Sequence, residues 1–125
     1  MNITVTWLNL DGNSLGEGGA QAVAAALRAN ITRSQSSTFA TGRSHNSLGE
    51  GGAQAIAAAL RVNITVASLY LGYNSLGEGG GQAVAAALRE NHTLTELNLC
   101  DNSLGEGGES VVRQAWSNRG GMLEL

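Results

Sequence analysis

Val66-Ala-Ser-Leu69-Tyr-Leu71-Gly-Tyr-Asn74-Ser-Leu-Gly77-Glu-Gly-Gly-Gly81-Gln-Ala-Val84-Ala-Ala-Ala-Leu88-Arg89 is the stretch that decides how this chain folds, because its neighbours repeat it. The string Asn-Ser-Leu-Gly-Glu-Gly-Gly begins at Asn13, Asn46, Asn74 and Asn102, at spacings of 33, 28 and 28 residues. Upstream of three of these copies runs apolar-x-x-Leu-x-Leu-x-x-Asn: Val5, Leu8, Leu10, Asn13; Val66, Leu69, Leu71, Asn74; Leu94, Leu97, Leu99, Asn102. Downstream lie Ala20–Arg28, Ala53–Arg61, Gly81–Arg89 and a divergent Glu109–Ser117. Self-similarity at such a period is the mark of stacked repeats, each unable to bury its apolar face alone.

Each unit changes period once. In Leu8-Asn9-Leu10 the alternation of apolar and polar puts both leucines on one face of a short strand. In Ala20–Arg28, residues Val23, Ala26 and Leu27 fall at i, i+3 and i+4, one helical stripe that faces those leucines. Ser14 and Glu17 have the spacing of a capping box, and Glu17 sits well near the positive end of a helix dipole. Asn13 and its counterparts turn inward in this reading and satisfy loop backbone groups, since buried backbone must be paired. The expected strands are about 7–10, 68–71 and 96–99, all parallel. The expected helices are about 18–29, 51–62, 79–90 and 108–117.

The pattern resembles the ribonuclease-inhibitor class of leucine-rich repeats, found also in nucleotide-sensing receptors of innate immunity and in Ran GTPase activators. The resemblance implies an α/β solenoid: a short right-handed arc with a parallel sheet on its concave side and helices on its convex side. It covers nearly the whole chain, read as a single domain, 1–125, of about four 28-residue repeats.

Two irregularities qualify the array. Asn2-Ile3-Thr4-Val5 matches Asn63-Ile64-Thr65-Val66, so Met1 stands inside a repeat, and the chain reads as a piece of a longer array or a truncated product. At the far end Glu109, Arg113 and Gln114 replace residues that are small elsewhere. Trp116 there takes the place of Leu27, Leu60 and Leu88. A polar outer face with one large apolar lid is what a terminal repeat needs. Residues 103–125 are therefore expected to form a cap, with Met122-Leu-Glu-Leu125 beginning a last strand.

The second repeat breaks the pattern at 33–45, with Thr38, Thr41 and Arg43 standing where Val66, Leu69 and Leu71 belong. Three missing apolar side chains forfeit roughly 1.5–3 kcal/mol each, against a net domain stability of roughly 5–15 kcal/mol. A loop is expected there, with under-packed leucines beside it. If the serines use TCN codons, Arg33–Thr41 read one frame over can give Val-Ala-(Val/Ile)-Leu-Tyr-Leu-(Cys/Arg)-Tyr, which can match Val66–Tyr73 at six of eight positions. We read the segment as out of frame or mis-spliced. Sequencing the transcript checks this, and AGC or AGT codons for Ser34, Ser36 and Ser37 would sink it.

Composition narrows the function. The net charge is −3, the chain holds seven arginines and no lysine, and no basic stripe is present to displace counterions from nucleic acid. No nucleic-acid partner is expected. No apolar run approaches a membrane span, and residues 1–15 lack the basic start and apolar block of a leader, so no membrane partner and a cytoplasmic location are expected. Cys100 is the single cysteine, leaving no thiolate cluster and no intramolecular disulfide.

The glycine clusters do not make a phosphate loop. Gln82 stands where a dinucleotide fingerprint needs its last Gly, and no Gly-Lys-Ser/Thr follows any cluster. Glu78 would also repel an anion at that helix end. His45 and His92 lie in different repeats without a nucleophile at motif spacing; His92 replaces Ile31 and Ile64, which gives it a packing role. No catalytic pair, cofactor, metal or small-molecule substrate is expected. Asn-x-Thr recurs at Asn2, Asn30, Asn63 and Asn91 because the repeat recurs.

What varies between copies is the strand face turned away from the helices: Trp7, Asn9 and Asp11, then Ser68, Tyr70 and Gly72, then Glu96, Asn98 and Cys100. Differing side chains on a near-invariant scaffold are how solenoids recognise partners, and Trp and Tyr are favoured anchors. The expected function is a protein-interaction scaffold binding another protein through its concave face at Trp7, Asn9, Asp11, Tyr70, Glu96, Asn98 and Cys100. A GTPase-activator-like module is the alternative from the same resemblance, opposed by the lack of an acidic tail and by the uniform Asn-Ser-Leu loops. A fragment without independent function is the third reading.

Overall fold

The computed structural model describes residues 6–12, 15–28 and 48–125. In chain order these form β1 (Trp7–Asn9), α1 (Gly16–Arg28), α2 (Gly49–Leu60), β2 (Ser68–Tyr70), α3 (Gly77–Glu90), β3 (Glu96–Asn98), α4 (Gly105–Trp116) and β4 (Met122–Glu124). The four strands make one parallel sheet in sequence order. The helices stack in the same order, each against the next. Strands in a sheet lie about 4.8 Å apart, whereas packed helices need about 8–10 Å. Stacking one of each per repeat therefore bends the array, with the sheet on the inside of the curve.

Between the layers lies one apolar core. The inward leucines Leu8, Leu10, Leu69, Leu71, Leu97 and Leu99 meet Leu27, Ile56, Leu60, Val84 and Leu88 from the helices. The strand and helix assignments of the sequence hold, with α1 to α4 starting two to three residues earlier than expected. Two details of the local reading do not, those for Ala26 and His92, and the cap reading made for Ser14 falls outside the described residues. Ala26 is exposed, whereas its counterparts Ala59 and Ala87 are buried, because α1 is the outermost helix of the described stack. No serine caps α2, α3 or α4: the cap residues are Leu48, Leu76 and Leu104, without side-chain cap bonds. Ser75 and Ser103 instead occupy left-handed backbone, at φ 52° and 55°. His92 is exposed, so it does not pack.

The break in the second repeat has an unexpected resolution. Residues 33–45 themselves lie outside the described residues, but the elements around them do not leave a gap. β1 pairs directly with β2, Leu8 against Leu69, just as β2 pairs with β3. Meanwhile α2 holds its regular place beside α3: the Gly49 amide donates to the Asn74 carbonyl, as the Gly77 amide donates to that of Asn102. The strand of the first repeat thus lies beside that of the third, and among the described residues two helices, α1 and α2, stand between β1 and β2 in the chain. Leu8, Leu10, Leu69 and Leu71 are consequently buried, at 3%, 0%, 0% and 0% exposure, rather than under-packed. An apolar strand edge left open would forfeit ladder hydrogen bonds and leucine burial together, and closing the gap recovers both.

Two asparagine ladders tie the repeats together. Asn102 donates from Nδ2 to the carbonyls of Leu71, Leu99 and Cys100, and its Oδ1 accepts from the amide of Asn74. Asn74 likewise donates to Leu10, Leu71 and Gly72. On the other side of the core, after the helices, Asn63 donates to the carbonyl of Leu27, and Asn91 to those of Leu60 and Asn63. The Asn-x-Thr motifs at 63 and 91 are therefore buried structural joints, each asparagine accepting the amide of the threonine two residues on.

Candidate functional site

Strand register decides which varying side chains meet. Trp7, Ser68, Glu96 and Met122 share one row across the open face of the sheet, and Asn9, Tyr70, Asn98 and Glu124 share the next. Trp7 and Tyr70 stand in different rows, yet their rings meet on the diagonal, with centroids 5.7 Å apart and planes at 71°. An edge-to-face pair of this kind is favourable beyond its buried area. The Tyr70 hydroxyl donates to Glu96 Oε2 at 3.1 Å, which fixes the phenol across two strands. Asn98 Nδ2 donates to Glu124 Oε2 at 2.5 Å. Trp7, Tyr70, Glu96 and Asn98 are all half-buried, held by neighbours on a rigid sheet.

The other expected residues are placed differently. Asn9 and Asn98 each accept, through Oδ1, the amide two residues on, that of Asp11 at 2.8 Å and of Cys100 at 3.0 Å, so both oxygens serve the turn. Asp11 Oδ1 accepts the Gly72 amide at 2.5 Å. Desolvation raises the pKa of Asp11 and Glu124 adds to it, while the Gly72 amide pulls it down. Cys100 lies in the turn just past β3 rather than within the strand. Desolvation, followed by the carboxylates of Glu124, Asp101 and Asp11, pushes its thiol pKa up, which holds it in the unreactive protonated form.

Three residues of this face were not singled out from the sequence. Glu124 reaches it because β4 is in register with β3 at an offset of 26, not 28; aligning Leu123 and Leu125 with Leu97 and Leu99 would have shown this. Tyr73 follows β2 at the rim, 65% exposed and at φ 58°, where the first repeat has Gly12 at φ 53°. The neighbouring Asp101 carboxylate raises its phenol pKa. Asp101, itself exposed, occupies the same left-handed position one repeat later, at φ 55°. A tyrosine in left-handed backbone costs roughly 1–2 kcal/mol relative to its ordinary conformation, and here the Tyr73 amide donates to the Cys100 carbonyl at 2.9 Å.

The leucine-rich-repeat family model, described as Leucine Rich repeat, matches residues 2–24 and 90–110. The two matched segments carry the leucine-rich repeat, and the described strands and helices stack as a β-α repeat solenoid. Among solved structures, the one titled "Leiomodin-1 Actin-Binding Site 2 (ABS2)" superposes with a TM-score of 0.72 at 24% identity, covering 95% of this chain and 69% of that one. Its title assigns actin binding to that protein, and the likeness to this chain is one of fold. The curated proteins contain no match to the sequence. No helix among the described residues is long and apolar enough to cross a membrane.

Proposed function

We propose that the chain is a non-catalytic protein-interaction module that grips its partner with the open, inner face of the sheet. The observation that carries this reading is the Trp7–Tyr70 pair, two aromatic rings brought from positions 63 residues apart onto one face, with the Tyr70 hydroxyl held by Glu96. Side chains already ordered before docking lose little entropy on binding. The outer surface of the helices offers Gln21, Gln54, Gln82 and exposed alanines instead, with little to anchor on. The proposal includes a cytoplasmic location. It also retains the single domain of about four repeats, with its irregularity at 33–45.

Actin is one bait to test, on the strength of the similar fold alone; others come from affinity capture followed by binding of the purified partner. For a partner so identified, replacing Trp7 and Tyr70 with Ala should weaken binding by about 2 kcal/mol or more, the usual cost of truncating an anchor. Replacing Gln21 and Arg28 with Ala should leave calorimetric affinity nearly unchanged. Equal losses for both pairs, on folded protein, would move the site off the sheet.

A further inference from the structure

The described cations are confined to the helical side of the molecule, where carboxylates such as Glu17, Glu50 and Glu78 stand among them. Along the described strands and the turns that follow them, every charged side chain is acidic: Asp11, Glu96, Asp101 and Glu124. The described arginines lie elsewhere. Arg28, Arg61, Arg89 and Arg113 belong to the helices or their ends, Arg61 paired with Glu90 and Arg113 with Glu109. Arg119 is spent on the carbonyls of Leu88, Asn91 and Leu94. The open face of the sheet therefore combines paired aromatic rings with carboxylates and has no described cation of its own.

We propose that this face takes an extended, arginine-bearing segment of a partner protein, laid across the strands from Trp7 to Glu124. This rests on the reading that the open sheet face is the binding surface, and it names the chemistry of what binds there. The charges choose a cation, because an acidic segment would meet only repulsion. The rings choose arginine over lysine: a guanidinium stacks on an aromatic face while its planar fork hydrogen-bonds a carboxylate. Trp7 and Tyr70 supply such faces with Glu96 beside them, Tyr70 reaching its carboxylate directly. Glu124, held by Asn98 Nδ2 at 2.5 Å and one strand beyond Glu96, forms a second anionic spot farther along. Crossing from β1 to β4 takes three strand steps, about 14 Å, which about four extended residues span. Alternate residues of such a segment point to the same side, so two arginines separated by one residue reach both spots. Tyr73, exposed at the rim and strained, adds a third ring beside that path.

The test uses a fluorescein-labelled heptapeptide of alternating glycine and arginine, titrated with the full chain and read by fluorescence anisotropy. Controls are the same peptide with citrulline, neutral and nearly isosteric, and with glutamate. The arginine peptide should bind, more weakly as salt rises because surface charges are screened, and the citrulline and glutamate peptides should not. The double variant E96Q with E124Q keeps the hydrogen-bond acceptors and loses two charges, and should weaken binding about tenfold. E17Q with E50Q, carboxylates on the helices, should change it less than about twofold. Equal binding of the citrulline peptide, or equal effects of the two double variants, overturns the proposal. If the arginine peptide does not bind while an identified partner still depends on Trp7 and Tyr70, the face stands and the arginine assignment falls. If that partner ignores Trp7 and Tyr70 as well, the face falls with it.

Discussion

Replacing Asn91 with Ala should cost the fold roughly 3–5 kcal/mol, a large share of the roughly 5–15 kcal/mol by which a domain of this size is stable. The residue is 3% exposed and connects three repeats. Its Nδ2 donates to the carbonyls of Leu60 and Asn63 at 2.8 and 3.0 Å, and its Oδ1 accepts the amides of Thr93 and Leu94 at 3.1 and 3.0 Å. Truncation leaves four backbone groups without this partner, and each buried polar group so abandoned costs about 1–3 kcal/mol before any relaxation. Asn91→Asp preserves the shape and the acceptor but turns a carboxylate toward two carbonyls, and should destabilise at least as much as Ala. Urea denaturation followed by circular dichroism reads the effect. A loss below about 1 kcal/mol for the alanine variant would show that water takes over these bonds and that the ladder is not a principal tie between repeats.

Arg119 and Trp116 should together prove to be a principal tie of the last described repeat to the one before it. Twenty-eight residues separate Asn63 from Asn91, and Asn91 from Arg119, so an arginine stands where the ladder calls for its next asparagine. Its guanidinium donates to the carbonyls of Leu88 and Asn91, the counterparts of Leu60 and Asn63, and reaches Leu94 at 3.0 Å. The same group lies 5.4 Å from the centroid of Trp116, whose ring is 6% exposed although it belongs to the last described helix. Burial lowers the pKa of the guanidinium but leaves it charged, and the carbonyls and the ring face are what stabilise that charge.

Trp116→Ala should therefore lose about 3–5 kcal/mol, as large-to-small core changes do. Trp116→Leu restores the residue used at 27, 60 and 88 but should still fall short of wild type, because no further described helix covers that position. Arg119→Ala should cost about 2–4 kcal/mol, and Arg119→Lys should recover little of it, since an ammonium lacks the planar fork. Thermal unfolding of the four variants separates these effects. If Trp116→Leu matched wild type, the terminal position would be shown to need only apolar volume.

The composition of the repeat determined most of the scaffold. Leucines at alternate positions, alanines and valines at helical spacing and a recurring loop asparagine dictate strand, helix and inward turn, because each rests on interactions within a few residues. That is why Leu69 and Leu71, Ile56 and Leu60, and Asn74 and Asn102 fall where the pattern places them. The varying positions Trp7, Tyr70, Glu96 and Asn98 could likewise be assigned to one face from period alone. Their pairings could not. Trp7 meets Tyr70 only because β1 lies beside β2, and that adjacency is a choice among strand partners more than fifty residues apart. The apolar edge of β1 makes the choice, since it gains more from the next compatible leucine strand than from solvent. The same non-local logic brings Glu124 into line with Asn98 through a two-residue shortening before β4. It also sets Arg119 in an asparagine's place, where only the carbonyls of the preceding turn reveal its role, and holds Tyr73 in a conformation that no local preference favours.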